Sequence, residues 1–205
     1  MFHEIQWLFF DVGSTLVDEQ FAYRRRFHEI AAAAGVTDEF VMDTALDFYK
    51  RNQKGDRETA KLLGVTMPTW HSEDEFLYHD AADCLKALCQ RYRLGVIANQ
   101  NPGTKDRLAA FGLLPYLDLV VASAEEGVAK PDRRIFEIAL ERAHCAPEQA
   151  VMIGDRIDND ILPAKALGMK TVWVRQGFGG YWRIMRQEEV PDETVRCLRE
   201  LPDIL

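Results

Sequence analysis

The run Leu8-Phe9-Phe10-Asp11-Val12-Gly13-Ser14-Thr15-Leu16 decides the architecture. An apolar segment ends abruptly in a carboxylate, and a Gly-Ser-Thr turn follows. A buried strand that delivers one side chain and several backbone N–H groups to the edge of a parallel sheet reads this way. An aspartate in that place can act as a nucleophile, a metal ligand, or both. Taken alone, the same residues also describe a buried strand capped by a solvated Asp beside an ordinary turn.

Working outward, five short apolar runs lack polar alternation and are rich in branched residues, the pattern of strands buried on both faces. They cover residues 5–10, 94–98, 117–122, 150–153 and 171–174. Helical patterns over residues 105–111, 131–142 and 157–167 separate the last four, with Gly112 and Gly168 as stops and Pro131 at a start. This alternation predicts a three-layer α/β fold, a doubly wound Rossmann-like parallel sheet whose ligands lie beyond the carboxyl ends of the strands. Between the first two strands about sixty residues intervene, far more than the dozen or so a crossover needs. They contain no convincing strand and read as helices over 19–34, 38–52, 57–63 and 73–78, an inserted α-helical cap. Two domains are therefore expected: a core of residues 1–17 and 80–205, and a helical cap of residues 18–79. A helix over 80–91 leads back into the core, Gly177-Phe178-Gly179-Gly180 reads as a flexible loop, and residues 192–201 read as a closing helix.

With 205 residues, 47% hydrophobic and 28% charged, the chain can bury a sizeable core. A net charge of −8 argues against a general nucleic-acid or anionic-membrane binder while leaving room for a local basic pocket. Cys84, Cys89, Cys145 and Cys197 form no CxxC pair and no zinc spacing, as expected of reduced thiols in a cytoplasmic protein. No secretory signal or run of about 20 apolar residues is recognisable, so a soluble protein is expected.

Each expected core strand is followed by a polar cluster: Asn99-Gln100-Asn101 after the second, Lys130-Pro131 beyond the third, and Gly154-Asp155-Arg156-Ile157-Asp158-Asn159-Asp160 after the fourth. One sheet edge would gather them. Asp11, Asp155 and Asp160 suit a hard cation such as Mg2+, which prefers oxygen ligands. Lys130 brings positive charge for an anionic group, and the Ser14/Thr15 turn offers backbone donors.

At these residues the chain resembles the haloacid dehalogenase-like (HAD) superfamily, mostly phosphatases. Asp11 and Thr15 match its first motif, Val96-Ile97-Ala98-Asn99 the second, Lys130-Pro131 the third, and Gly154-Asp155 with Asn159-Asp160 the fourth. The helical insertion matches the small cap of the first subclass. The resemblance implies a hydrolase that cleaves a small phosphorylated metabolite through an aspartyl-phosphate on Asp11. It makes Asp11, the Gly13 carbonyl and Asp155 the Mg2+ ligands, and Lys130 the group that neutralises Asp11 and the phosphoryl oxygens. Asn159 and Asp160 would stand behind the metal, with Asp160 orienting Lys130. Ser14, Thr15, Asn99 and Lys130 would bind the phosphate.

Two departures bear on that activity. Family phosphatases carry a second Asp two residues after the nucleophile, which protonates the leaving group and later activates water; here that position is Gly13. The second motif usually presents Ser or Thr to a phosphoryl oxygen; here it is Ala98, leaving Asn99 as the candidate donor. An acid–base group contributes about 10²–10⁴ in rate, and a hydrogen bond to a charged group about 1.5–3 kcal/mol. Two readings follow: a phosphatase with altered catalytic residues, or a weak or inactive relative that binds a phosphorylated ligand or a protein partner. The family's dehalogenases have uncharged residues in the fourth motif, which is intact here. Its phosphonate-cleaving branch needs a cap lysine, for which Lys50, Lys54 and Lys61 are available without a recognisable setting. The triplet Arg24-Arg25-Arg26 reads as a solvated helix face from which one guanidinium could meet a substrate anion. Trp70-His71 could line the cap's substrate surface, and Phe178, Tyr181 and Trp182 read as packing, an oligomer contact or a lid. His3, His28, His79 and His144 stand alone as structural or surface groups. Substrate and oligomeric state are not legible. If nothing stands in for the acid, aryl and acyl phosphates are cleaved far faster than alkyl phosphates, and Gly13→Asp narrows the gap, provided residue 13 is not at positive φ. Equal rates on aryl and alkyl substrates would mean that another residue serves as the acid.

Overall fold

The computed structural model describes residues 4–205; His3 lies outside them. Six strands form one parallel sheet: β1 (Trp7–Phe10), β4 (Arg93–Ala98), β5 (Leu119–Ala122), β6 (Ala150–Gly154), β7 (Lys170–Val174) and β8 (Glu193–Val195), in the order β5-β4-β1-β6-β7-β8. The strand bearing the decisive run is central, with Phe9 opposite Gly95 on one side and Met152 on the other. The chain leaves β1 for β4 on one flank and later reaches β6 on the other. Asp11, Asn99 and Asp155 therefore emerge side by side where the winding reverses, the place where α/β sheets bind ligands.

Helices α4 (Ala81–Leu88), α5 (Thr104–Ala110), α7 (Arg133–Ala143) and α8 (Leu162–Ala166) flank the sheet. One apolar cluster under α4 joins Leu8, Phe10, Leu85 and Val96, and another under α7 joins Phe9, Ile97, Phe136 and Met152. Alternate residues of β1 thus face opposite layers, which is why the strand is apolar throughout. Helix α7 starts at Arg133 rather than at Pro131, capped by Asp132, whose side chain accepts the Arg134 N–H at 2.9 Å.

Between β1 and β4 lie α1 (Gln20–Ala34), α2 (Asp38–Tyr49) and α3 (Gly55–Leu62). Thr37 caps α2 by accepting the Phe40 N–H, and Gly35 ends α1 at φ 68°. The helix expected over 73–78 is not formed. A short 3-10 turn (Ser72–Asp74) leads instead into a two-residue strand β3 (Phe76–Leu77), antiparallel to β2 (Val17–Asp18). This ribbon closes both ends of the insertion, so the expectation that it holds no strand was incorrect. The closing helix expected over 192–201 is also replaced, by β8, a 3-10 turn (Leu198–Glu200) and the short α9 (Leu201–Ile204). Asp192 staples β8 to the sheet edge, accepting from the Thr171 N–H and hydroxyl and pairing with Lys170.

A single helix was expected over 157–167, but it divides into a π-helical turn (Ile157–Ile161) followed by α8. Pro163 has no N–H to give to the helical ladder, so the first turn is free to widen. That widening sends Asp160 inward, where it is fully buried.

The loop after β7 joins the insertion to the core. Phe178 stacks on Tyr49 with ring centroids 4.8 Å apart and meets Tyr23 and Phe27 edge-on. Asn52 and Arg183 exchange side chain–backbone hydrogen bonds of 2.7 and 2.8 Å. The apolar cluster of α1–α3 also includes Ile157, Ile161, Trp173 and Trp182 of the core. The insertion thus shares its apolar cluster with the core. Phe178→Ala is expected to destabilise the protein by about 2–3 kcal/mol, below the ~3–5 kcal/mol of a fully buried Phe→Ala because the ring is half-buried. Urea unfolding followed by tryptophan fluorescence measures this.

Candidate active site

The polar clusters meet in one cavity of about 440 Å3 between the strand ends and the helical insertion. Asp11, Asp155 and Asp160 come together, with one carboxylate oxygen of each within 4.8 Å of the others. Lys130 sits among them, its Nζ 2.8 Å from Asp11 Oδ1 and 2.5 Å from Asp160 Oδ1. Burial pulls the Lys130 ammonium down, but Asp11 and Asp160 outweigh it and the net shift is upward. Burial, then Asp160 and Asp11, raise the Asp155 carboxyl well above the usual range. Burial also raises Asp160, with Lys130 opposing. The second oxygen of Asp160 accepts the Arg156 N–H at 2.9 Å. Gly154 allows this arrangement, because a Cβ there would collide with the Asp160 carboxylate.

Asn99 is bound on both sides: its amide donates to the Lys130 carbonyl at 2.8 Å and its oxygen accepts the Lys130 N–H at 2.7 Å. One amide hydrogen remains for a ligand. Ser14 lines the cavity at φ 55° and donates its hydroxyl to Glu19 Oε2 at 2.7 Å. Thr15, expected at the phosphate, lies instead behind the cavity wall, its hydroxyl 3.4 Å from Asp155 Oδ1 and its carbonyl bonded by Gln176. Gly179 folds over Asp155, where any side chain would strike the carboxylate. The Trp173 indole N–H donates to the Asp155 carbonyl at 2.8 Å. Among the described residues the Asn159 side-chain oxygen has no hydrogen-bond partner; it is buried, and Asn159 lines the cavity.

The opposite wall comes from the insertion. Of the arginine triplet only Arg26 reaches the cavity, held by Asp56 at 2.8 Å with its guanidinium 4.3 Å over the Trp70 ring. Arg25 pairs with Glu73 and Asp74 at the surface. Trp70 lines the cavity and donates to Glu75, which also binds Arg107; His71 bonds Glu29 and Glu73. Among the described residues Lys54 and Arg57 line the cavity without an ion pair, and burial, then Arg156 and Arg57, lower the Lys54 ammonium. Lys50 and Lys61 are not at the cavity.

Sequence reasoning missed Glu19, Asp56, Glu75 and Arg107. The last three are paired across 30 or more residues, which no local period records. Glu19 sits against Gly13. Burial pushes its carboxyl up to about 8, with the Ser14 hydrogen bond opposing and Glu75 and Asp11 adding to the rise.

A haloacid dehalogenase-like hydrolase model matches residues 5–168, and the chain belongs to that family. It is 33% identical over 150 residues to a glyceraldehyde 3-phosphate phosphatase of Methanocaldococcus jannaschii, covering 71% of this chain and 64% of that one. To a phosphoserine phosphatase of Thermus thermophilus it is 37% identical over 109 residues, 53% and 42% of the two chains. The matches thus span less than two thirds of these relatives. Among solved structures, a HAD phosphatase from Thermococcus onnurineus superposes with TM-score 0.65 at 24% identity, covering 98% and 97% of the chains. A 2-haloacid dehalogenase from Pseudomonas syringae does so with TM-score 0.62 at 23% identity, covering 98% and 97%. Phosphatase and dehalogenase share the fold, so the fold does not choose the chemistry. Among the described residues no helix is long and apolar enough to cross a membrane.

Removing the buried cation leaves Asp11 and Asp160 uncompensated. Lys130→Ala is therefore expected to cost about 3–5 kcal/mol in urea unfolding, and Lys130→Ala/Asp160→Asn, which removes a charge of each sign, to recover part of that.

Proposed function

We propose that the protein is a Mg2+-dependent phosphatase of a small phosphorylated metabolite, with Asp11 as the nucleophile and residues 18–79 acting as a small cap over a core of residues 1–17 and 80–205. The observation that carries this reading is Lys130 bonded to both Asp11 and Asp160 at the open end of the parallel sheet. The donor set suits a hard cation: three carboxylates crowd together, Asp155 has its charge disfavoured, and the Asn159 oxygen has no partner among the described residues. Asp11, Asp155 and the Gly13 carbonyl would hold the metal, with Asp160 and Asn159 behind them. A bound Mg2+ supplies positive charge that screens the repulsion between an anionic nucleophile and an anionic phosphoryl group.

The remaining work falls to the chain's own side chains. The Asp11 carboxylate attacks phosphorus and becomes an aspartyl-phosphate. Lys130 balances charge on Asp11 and on the phosphoryl oxygens, and Asp160 and Asn99 hold that lysine. Asn99's remaining amide hydrogen and the Ser14 loop meet the phosphate. Arg26, Lys54 and Arg57 face the rest of the substrate, which favours a second polar or anionic group. The relatives named for glyceraldehyde 3-phosphate and phosphoserine act on such compact monoesters. A cavity of about 440 Å3 accommodates one.

A second reading rests on Lys54, a cap lysine at the cavity whose ammonium is held down by burial. Its amine could condense with the carbonyl of a phosphonate, giving a borohydride-trappable adduct that Lys54→Ala abolishes.

A panel of phosphomonoesters assayed with and without Mg2+ tests the leading reading. Phosphate release is expected with Mg2+ only, and Asp11→Asn is expected to abolish it. Lys54→Ala and Arg57→Ala are expected to raise KM for anionic substrates about tenfold while sparing kcat. Metal-independent release, or turnover by Asp11→Asn, refutes it.

A further inference from the structure

Gly13 leaves a gap in the expected chemistry but not in the structure. A Cβ built on Gly13 would lie 2.5 Å from Glu19 Oε1, 2.9 Å from its Cδ and 3.0 Å from Oε2. The space that a residue-13 side chain would enter is already taken by a carboxyl group from six residues downstream. We infer that Glu19 is the proton donor and acceptor of this site, standing in for the side chain that residue 13 lacks. The inference rests on the phosphatase reading above.

Three further observations support the assignment. Glu19 and Asp11 line the same cavity. The Ser14 hydroxyl holds Oε2 at 2.7 Å, which leaves Oε1 as the oxygen turned to Gly13. Of the other carboxyl groups lining the cavity, Asp56 is committed to Arg26 and Glu75 to Arg107 and Trp70, while Asp155 accepts from Thr15 and is assigned to the metal in the reading above. Glu19 has only the Ser14 hydroxyl as a side-chain partner among the described residues.

The proton moves as follows. An Asp11 carboxylate oxygen bonds to phosphorus while the bond from phosphorus to the ester oxygen breaks. The departing alkoxide takes the proton of the Glu19 carboxyl and leaves as an alcohol. Water then attacks the phosphorus of the aspartyl-phosphate, giving a proton to the Glu19 carboxylate. The bond from phosphorus to Asp11 breaks, phosphate departs, and both side chains return to their starting states.

The geometry also explains why residue 13 is glycine here. Gly13 is not among the residues at positive φ, so the backbone itself accepts a side chain. A side chain there would have to displace the Glu19 carboxyl. An Asp at 13 and a Glu at 19 compete for one volume.

The test compares leaving groups in single turnover with Mg2+, using glycerol 3-phosphate as the alkyl ester and p-nitrophenyl phosphate as the aryl ester. Glu19→Gln keeps the shape and removes the transferable proton. It is expected to slow alcohol release from glycerol 3-phosphate by about 10²–10⁴. The release of nitrophenol, which needs little proton donation, is expected to change less than tenfold, while the phosphate release that follows it slows. Glu19→Ala clears the volume, and Gly13→Asp added to it is expected to restore alkyl cleavage at least tenfold over Glu19→Ala alone. Gly13→Asp with Glu19 present is expected to fall below wild type. Equal slowing of both esters by Glu19→Gln, no slowing of either, or no rescue by the double variant overturns the inference while leaving an active wild type and the phosphatase reading intact. A wild type that releases phosphate from neither ester overturns both.

Discussion

The buried ammonium of Lys130 is the constraint around which the site is arranged. Three carboxylates with oxygens within 4.8 Å of one another repel, and in a water-poor setting that repulsion is large. One cation bonded to two of them makes the cluster tolerable. Much of the neighbouring architecture serves to keep it there. Asn99 grips the Lys130 backbone from the end of β4, the π-helical turn after β6 brings Asp160 inward, and Gly154 yields the room that Asp160 fills. One carboxylate from the end of β1 and one from the turn after β6 converge on a single Nζ, while Asn99 after β4 holds the lysine's backbone. Such convergence requires the central position of β1 between β4 and β6.

The insertion meets this edge through aromatic and paired groups. Phe178, carried by the loop after β7, enters the rings of Tyr23, Phe27 and Tyr49, while the adjacent Gly179 lies against Asp155. A short loop therefore touches both the acidic cluster and the helical wall. The wall pairs Arg26 with Asp56 internally and Glu75 with Arg107 of α5, and among the described residues leaves Lys54 and Arg57 toward the cavity without an ion pair. Paired ions give shape and an orienting field at little net charge, and the two unpaired cations add attraction for an anion.

The sheet was legible because its strands are buried on both faces. Runs such as Leu8-Phe9-Phe10 and Val151-Met152-Ile153 need no partner to be recognised, and the polar clusters after them mark the edge. The short strands were not. Phe76–Leu77 and Glu193–Val195 are too brief to carry a period, and they owe their form to Val17 and to the Asp192–Thr171 bonds. Asp11, Lys130, Asp155 and Asp160 were found together because motif spacing encodes strand ends. Thr15 was assigned to the phosphate, although which way a turn residue faces depends on Asp155, 140 positions away.

Glu19 marks the same boundary between local and distant information. Position 13, read along the chain, is a missing acid; read in space, it is the clearance that a neighbouring carboxyl occupies. A side chain rooted at residue 13 would move with the sheet. Glu19 instead is the residue before α1, and its carbonyl accepts the Tyr23 N–H in the first turn of that helix. Its carboxyl is thus fixed from two sides, by Ser14 in the loop after β1 and by the helix that opens the insertion. Asp11 follows β1 and Glu19 precedes α1, so the separation of the two carboxyl groups depends on how α1 seats on the core. The contacts of Phe178 with Tyr23 and Phe27 of α1, and the Asn52–Arg183 bonds, act on that seating. A glycine in the loop after β1, an acid at the mouth of the first helix and an aromatic anchor after β7 therefore act together to bring Asp11 and Glu19 to one cavity.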